Sequence, residues 1–330
     1  MKMLIDVIVP AYNVEKYIEK CLESLCCQTL QDLRILVIND GSQDKTEAIV
    51  YSMMEKYPER ITYYYKENGG IADTRNFGLS KVEAKYFGFV DSDDYVELTM
   101  FEKMVSVMET EESDLAMCGF TWEYVNKKDV VSDGPFQDMK DQLMRMYATL
   151  WNKVYRTEWI HSLNLEFPIG LCYEDASFLY RLVPHCHHIS YVNESLLYYV
   201  QRENSITHTY NVRIEDMIHV FSQIQVYYKK QGFMEEFKDE LEYVFVRFFL
   251  GNSYLRTVQI QDSNMRNEIL KKAWEFLNVS FPDWKHNVYL KGYGLKNLYY
   301  RTVGRRSYYF NAKVFHVLLK IKKFIIKIGE

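Results

Sequence analysis

Proline and glycine are sparse in this chain, six and fourteen among 330 residues. That scarcity excludes the collagen-like and low-complexity classes, which are rich in both. The six cysteines (Cys21, Cys26, Cys27, Cys118, Cys172 and Cys186) include no CxxC pair, so zinc-ribbon and thioredoxin-type spacings are missing. Their scatter through apolar contexts reads as reduced thiols in a cytosolic protein. No stretch approaches the ~20 apolar residues of a membrane span. The apolar start, Met3 to Pro10, is interrupted by Asp6 and is too short for a signal peptide. Internal repeats are absent as well.

Apolar and aromatic residues are plentiful, at 48% and 16%, enough for a packed core and against disorder. A chain of this length suggests one large domain with a smaller appendage. Charge is divided unevenly. From Lys291 onward ten Lys/Arg face the single acid Glu330, a net of +9, and since the whole chain carries −5, the first 290 residues carry −14. An acidic body with a basic tail suggests an anionic partner at the tail.

Leu4 to Val9 is a β-branched run stopped by Pro10, suited to a buried parallel strand. Strands are likewise expected at Arg34 to Ile38, Ile61 to Tyr65 and Tyr86 to Val90. Helical spacing fills the intervals Val14 to Leu30, Asp44 to Tyr57 and Ile71 to Ser80. This alternation predicts an α/β, Rossmann-like, mostly parallel sheet flanked by helices. Strand candidates continue at Leu115 to Trp122 and Ile189 to Val192. Long helices are expected at Ile214 to Gln231, Met234 to Leu255 and Met265 to Leu277. The division that follows is a catalytic domain over 1–210 and a helical C-terminal domain over 211–330.

Ligands of such sheets bind at the carboxyl ends of the strands, and the polar punctuation gathers there. Asp91-Ser92-Asp93-Asp94 follows the fourth strand. Two carboxylates spaced i, i+2 can reach one bound Mg²⁺ or Mn²⁺, which prefers oxygen ligands and keeps substrate phosphates in its shell. The alternative is a simple cap on the next helix. Asn39-Asp40-Gly41-Ser42 closes the second strand, and Pro10-Ala11-Tyr12-Asn13 closes the first, with an aromatic ring suited to a nucleotide pocket. Arg75, after Gly69-Gly70, places a positive charge near the same rim. Pro184-His185-Cys186-His187-His188 is metal-like in composition, but consecutive residues cannot all ligate one ion, so it reads as a loop entering the Ile189 strand.

The runs VIVPAYN, NDGS, NGGIADTRNFG and FVDSDD, in this order and spacing, resemble family 2 glycosyltransferases of the GT-A fold. Further on, Trp151 to Tyr155, Tyr173-Glu174-Asp175 and Tyr198 to Ile206 resemble the second half of that catalytic domain. The resemblance covers residues 3 to 208. It implies that Tyr12 stacks near a nucleobase, that Asp40 binds the base edge, and that Arg75 sits by the ribose or diphosphate. It further implies that Asp91 contacts the ribose, with Ser92, Pro10 and Asn13 in the same nucleotide-sugar site, and that Asp93 ligates Mn²⁺ or Mg²⁺. Glu174-Asp175 looks like the family's ED motif, which makes Asp175 the base; acids at a helix N-terminus are the alternative reading. Asn39 departs from the second Asp that many members carry. Arg202 and Ser205 fall where the family often places a loop over the diphosphate, and His208 is a further candidate metal ligand. Trp151 and Asn152 are candidates for the acceptor pocket, with core packing the alternative for Trp151.

The resemblance implies an inverting transfer from a nucleotide-diphosphate donor, a UDP-sugar, to an acceptor hydroxyl in the synthesis of cell-surface polysaccharide or glycoconjugate. A catalytically inactive sugar-binding scaffold and a sugar nucleotidyltransferase are the competing readings. The latter needs a Gly-rich phosphate loop that VIVPAYN does not offer. The tail, Asn311 to Gly329, alternates apolar residues with Lys313, Lys320, Lys322, Lys323 and Lys327. It suits a helix lying in the plane of an anionic membrane surface, the alternative being a helix packed on protein. The chain is therefore expected at the cytoplasmic face of the membrane with a glycan or lipid-linked acceptor. A nucleic-acid partner is not expected, and an oligomer is compatible with the sequence.

Overall fold

Every residue of β1 (Ile5–Ala11) is buried, as its β-branched run requires of a strand covered on both faces. In the computed structural model, which describes residues 3–132, 134–201, 211–292 and 294–329, with side chains in the last helix as far as 321, β1 lies inside a nine-stranded sheet. It pairs in parallel with β2 (Leu33–Asn39), and β2 in turn with β3 (Ile61–Tyr65). The connecting helices are α1 (Ile18–Cys26), α2 (Thr46–Lys56) and α3 (Ile71–Leu79). On the other side β1 pairs in parallel with β4 (Tyr86–Phe89). Helix α3 lies close over β1: a Cβ on Gly78 would come within 2.6 Å of Cγ2 of Ile8, so only glycine permits that approach.

Beyond β4 the sheet turns mixed. After β5 (Tyr95–Val96) and α4 (Met100–Glu111) come β6 (Leu115–Tyr124), the exposed hairpin strand β7 (Lys127–Val131) and α5 (Met139–Arg145). Next are β8 (Lys153–Arg156), α6 (Thr157–Leu163), α7 (Glu174–Leu182) and β9 (Ile189–Val200). The strand order is β3-β2-β1-β4-β8-β6-β9-β5, with β7 on β6. Strand β8 runs antiparallel to both β4 and β6, while β6 and β9 are parallel. The first three strands and α3 fall where the apolar pattern puts them. The Ile189 strand runs on to Val200, and β5, β7, β8 and α4 to α7 are additions. Their apolar positions are set by partners distant in sequence rather than by a local period.

The chain divides into two compact units, residues 1–203 and 204–330. The second is helical: α8 (Asp216–Gln231), α9 (Lys238–Arg247), α10 (Ser253–Thr257), α11 (Ser263–Ser280), α12 (Leu295–Thr302) and α13 (Arg305–Gly329). A π-turn at Phe248–Asn252 joins α9 to α10. Asp262 caps α11, its Oδ1 accepting from the N–H groups of Asn264 and Met265 at 2.8 and 2.9 Å. The core of this unit is aromatic, with Phe221 against Phe245, Phe248 and Phe249.

Helix α13 starts before the tail segment singled out in the sequence, and it packs on its own unit. Tyr308, Ala312 and His316 point inward; the Tyr254 hydroxyl donates to the Tyr308 carbonyl at 2.8 Å, and His316 Nδ1 lies 2.6 Å from the Val258 carbonyl oxygen. Among the described residues no helix is long and apolar enough to cross a membrane.

Candidate active site

Because β1 to β4 are parallel, their carboxyl ends, with the segments 10–13, 39–42, 66–70 and 90–94, line one edge of the sheet. The first two segments are stitched together. Asn13, in a left-handed conformation (φ 51), donates its N–H to Ser42 Oγ at 3.0 Å and accepts from the Gln43 N–H at 2.8 Å. That leaves the neighbouring Tyr12 ring 49% exposed, while Pro10 is buried at the strand end. Asn39 accepts from the Ser42 N–H at 2.9 Å and donates to the Tyr63 hydroxyl at 2.8 Å. A carboxylate has no N–H to give, so an amide is the group that satisfies both partners.

Asp40 is almost fully buried. One oxygen accepts from the Gly69 N–H (2.9 Å) and the Lys66 ammonium (2.6 Å); the other accepts from the Gly70 N–H at 2.9 Å. Of the roughly four lone-pair sites of a carboxylate, two thus hold the Asn68-Gly69-Gly70 turn and a third takes Lys66, leaving about one. Lys66 also reaches Asp73 at 2.6 Å. Burial opposes its charge, yet the bonds to Asp40 and Asp73 raise its pKa overall. Lys66 carried no signal of its own in the sequence. Gly41, at φ +74, packs against this turn, with the Asn68 nitrogen 3.1 Å from where a Cβ would sit.

Arg75 is the centre of the site. It is buried on α3, and it donates from one terminal nitrogen to Glu174 at 2.6 Å and from the other to Asp91 at 3.0 Å. Its guanidinium lies 5.8 Å from the centre of the Phe167 ring. This bridge joins the end of β4 to the start of α7, Arg75 and Glu174 being 99 residues apart in sequence. The next residue on α3 makes a second clamp: Asn76 donates to the Phe167 carbonyl at 2.9 Å and accepts from the Phe167 N–H at 2.8 Å. Together Arg75 and Asn76 hold the loop that leads into Glu174-Asp175. The sequence had placed Arg75 at an open rim; in the structure it is enclosed between two acids.

Asp175 sits in the first turn of α7, behind Tyr173 in a left-handed conformation. Its Oδ1 accepts from the Ala176 N–H at 2.7 Å. Enclosure by protein pushes its pKa up to about 7, the Glu174 and Asp91 charges adding to the rise while Arg75 and the Ala176 bond oppose it. A carboxylate poised near neutrality is matched to accepting a proton in catalysis.

The DSDD run is followed by the two-residue strand β5, and α4 begins only at Met100, so these acids do not cap a helix. Asp94 is buried and accepts from the Val200 N–H at 2.9 Å. Asp91 and Asp93 keep partial exposure around the buried Ser92. Among the described residues no group of three or more His, Cys, Asp or Glu could hold a metal; His185 ends a 3-10 turn, Val183–His185, and Cys186 to His188 lead from it into β9. Trp151 and Asn152 are buried. Trp151 is edge-on to Phe120 and stacked on Tyr199, with centroids 4.7 and 5.2 Å apart. Asn152 is buried, donates to the Cys118 carbonyl and accepts from Lys153 and Thr149. Arg202, Ser205 and His208 lie outside the described residues.

The family model described as Glycosyl transferase family 2 matches residues 6–167. The glycosyltransferase EpsJ of Bacillus subtilis, itself uncharacterized, is 28% identical over 314 residues, covering 88% of this chain and 90% of its own. The minor teichoic acid biosynthesis protein GgaB of the same organism is 37% identical over 112 residues, 33% of this chain and 12% of its own. Among solved structures, S. aureus TarS 1–349 in complex with UDP-GlcNAc aligns with a TM-score of 0.75 at 23% identity. That alignment covers 91% of this chain and 87% of the other. The sheet order, the furnished strand ends and these likenesses agree: the chain is a glycosyltransferase of GT-A fold with a helical C-terminal unit, and it belongs to glycosyl transferase family 2.

Proposed function

We propose that the enzyme transfers a sugar from a UDP-sugar to an acceptor hydroxyl with inversion at the anomeric carbon, and that Asp175 is the base. The observation that carries this reading is the Arg75 bridge, which holds Asp91 and the Glu174-Asp175 pair on one framework. Tyr12, exposed beside the Asn13–Ser42 stitch, is available to stack on the uracil. Asp40, with about one acceptor site left, faces the base edge. Asp91, one oxygen held by Arg75, offers the other to the ribose.

The Asp93 carboxylate is an oxygen donor that fits Mn²⁺ or Mg²⁺, ions that take one or two protein carboxylates and complete their shell with water and phosphate. Asp93 would hold the ion, which when bound neutralises charge on the departing diphosphate. The remaining chemistry belongs to the chain. Asp175 accepts the proton of the acceptor hydroxyl as its oxygen attacks, so one displacement inverts the centre without a covalent enzyme intermediate. Because its pKa lies near 7, the base form is present at neutral pH. The acceptor in this reading is a glycan or a lipid-linked intermediate of surface polysaccharide, met at the inner face of the membrane. GgaB, named for minor teichoic acid biosynthesis, is the relative that supports the surface-polymer part of it.

The test is a thermal-shift series with UDP, with and without Mn²⁺, on the wild type and Asp93→Ala. Mass action gives about 2.7 kcal/mol of stabilisation at a hundredfold excess over the dissociation constant. A Mn²⁺-dependent shift lost in Asp93→Ala is the expected outcome. A shift that is the same with and without Mn²⁺ would remove the metal assignment, and no shift at all would remove the donor assignment as well.

A further inference from the structure

Over its residues 305–321, whose side chains are described, helix α13 has two apolar stripes, one covered and one exposed. Tyr308, Ala312 and His316, spaced by four, face the interior of the helical unit. On the opposite side Phe310, Val314, Val317, Leu318 and Ile321 recur at i, i+4, i+7, i+8 and i+11, the spacing of one face of a helix. Phe310 is 66% exposed, Val317 54% and Ile321 49%. Five large apolar side chains side by side in water mark an interaction surface rather than scattered exposure.

Charge identifies what covers it. Arg306, Lys313 and Lys320 are exposed on the same helix, Arg305 is paired with Glu275 at 3.6 Å, and the helix sequence contains no acid. A two-fold contact with another copy through this stripe would set these cations against their own counterparts. A bilayer with anionic headgroups offers both complements, apolar depth for the stripe and negative charge for its flanks. We infer that the stripe Phe310–Ile321 of α13 lies flat in the interface of an anionic membrane while Tyr308, Ala312 and His316 keep the helix docked on its own unit. The helix thus anchors the enzyme without crossing the bilayer. The inference rests on this helix alone and stands independently of the donor and metal assignments.

The experiment is co-flotation of the full-length protein with vesicles of phosphatidylcholine alone and with phosphatidylglycerol added, at low and high salt. The wild type should float with the anionic vesicles, much less with the neutral ones, and less at high salt. Phe310→Ser/Val317→Ser/Ile321→Ser and Lys313→Glu/Lys320→Glu should each lower partitioning by at least about tenfold. Since these side chains are exposed, the thermal melt of both variants should match the wild type. Absence of wild-type binding to anionic vesicles would overturn the inference, as would equal binding by wild type and variants. A dimer in light scattering that the triple variant dissolves, with vesicle binding unchanged, would assign the stripe to a second copy instead.

Discussion

Replacing Asp175 by Asn should remove transfer and make the protein more stable in alkaline solution. The carboxyl moves from its ordinary value of 3.8 to about 7 on folding, a difference of about 4 kcal/mol between its charged and neutral forms. Between those values the folded chain holds a proton that the unfolded chain has released. Stability therefore falls as pH rises through that window, by about 1.4 kcal/mol per pH unit, and the full cost is present above pH ~7. Asparagine carries no charge and keeps an oxygen for the Ala176 N–H. Wild type and Asp175→Asn should thus be about equally stable near pH 4, and the variant should gain up to about 4 kcal/mol at pH ~8. Urea unfolding across this range, read beside initial transfer rates, makes the comparison. The wild-type rate should rise to a plateau above pH ~7 while the variant loses about 10²- to 10⁴-fold. A stability difference that ignores pH, or one that favours the wild type at high pH, would refute the argument.

Three further outcomes follow from the site. Arg75→Ala leaves Glu174 enclosed without its counter-charge and should cost about 3–5 kcal/mol in urea unfolding, with transfer lost even where the variant is folded. A stable, active variant would show that the bridge holds nothing. Trp151→Ala opens a cavity beside Phe120 and Tyr199 and should cost about 3–5 kcal/mol, with the acceptor KM unchanged; an unchanged melt with a raised acceptor KM would return Trp151 to the acceptor pocket. Gly41→Ala forces a side chain into the left-handed region beside the Asn68 nitrogen and should lower stability by about 1–2 kcal/mol, which a melting curve would read directly.

Much of the fold was legible because the informative signals were local. Strands β1 to β4 are β-branched or aromatic runs, each ended by a turn or polar residue, and the helices between them show their own period. Asp40 and Asp91 were legible for the same reason, since they stand at the ends of such strands, whereas Asp175 came only with the resemblance to the family's ED motif. The mixed half of the sheet was not. Strand β8 slots between β4 and β6 with Gly88 opposite Val154, and nothing near residue 154 names that partner.

What the sequence determined by itself is the alternation of strand and helix, the family, and the residues that gather at the carboxyl edge of the sheet. Tertiary structure alone decided how those residues are held: that Arg75 reaches Glu174 across 99 residues, and that Lys66 and two glycine N–H groups occupy Asp40. It also decided which face of α13 is inside. Periodicity marks the exposed stripe, with Phe310, Val317 and Ile321, as the more apolar one, yet the buried stripe carries Tyr308, Ala312 and His316. The reason is steric and directional: Ala312 is small enough for close approach, and His316 and the Tyr308 carbonyl meet hydrogen-bonding partners on α10 and at the residue after it. Hydrophobicity reports that a stripe will be covered, and only the packed unit shows which stripe it covers itself.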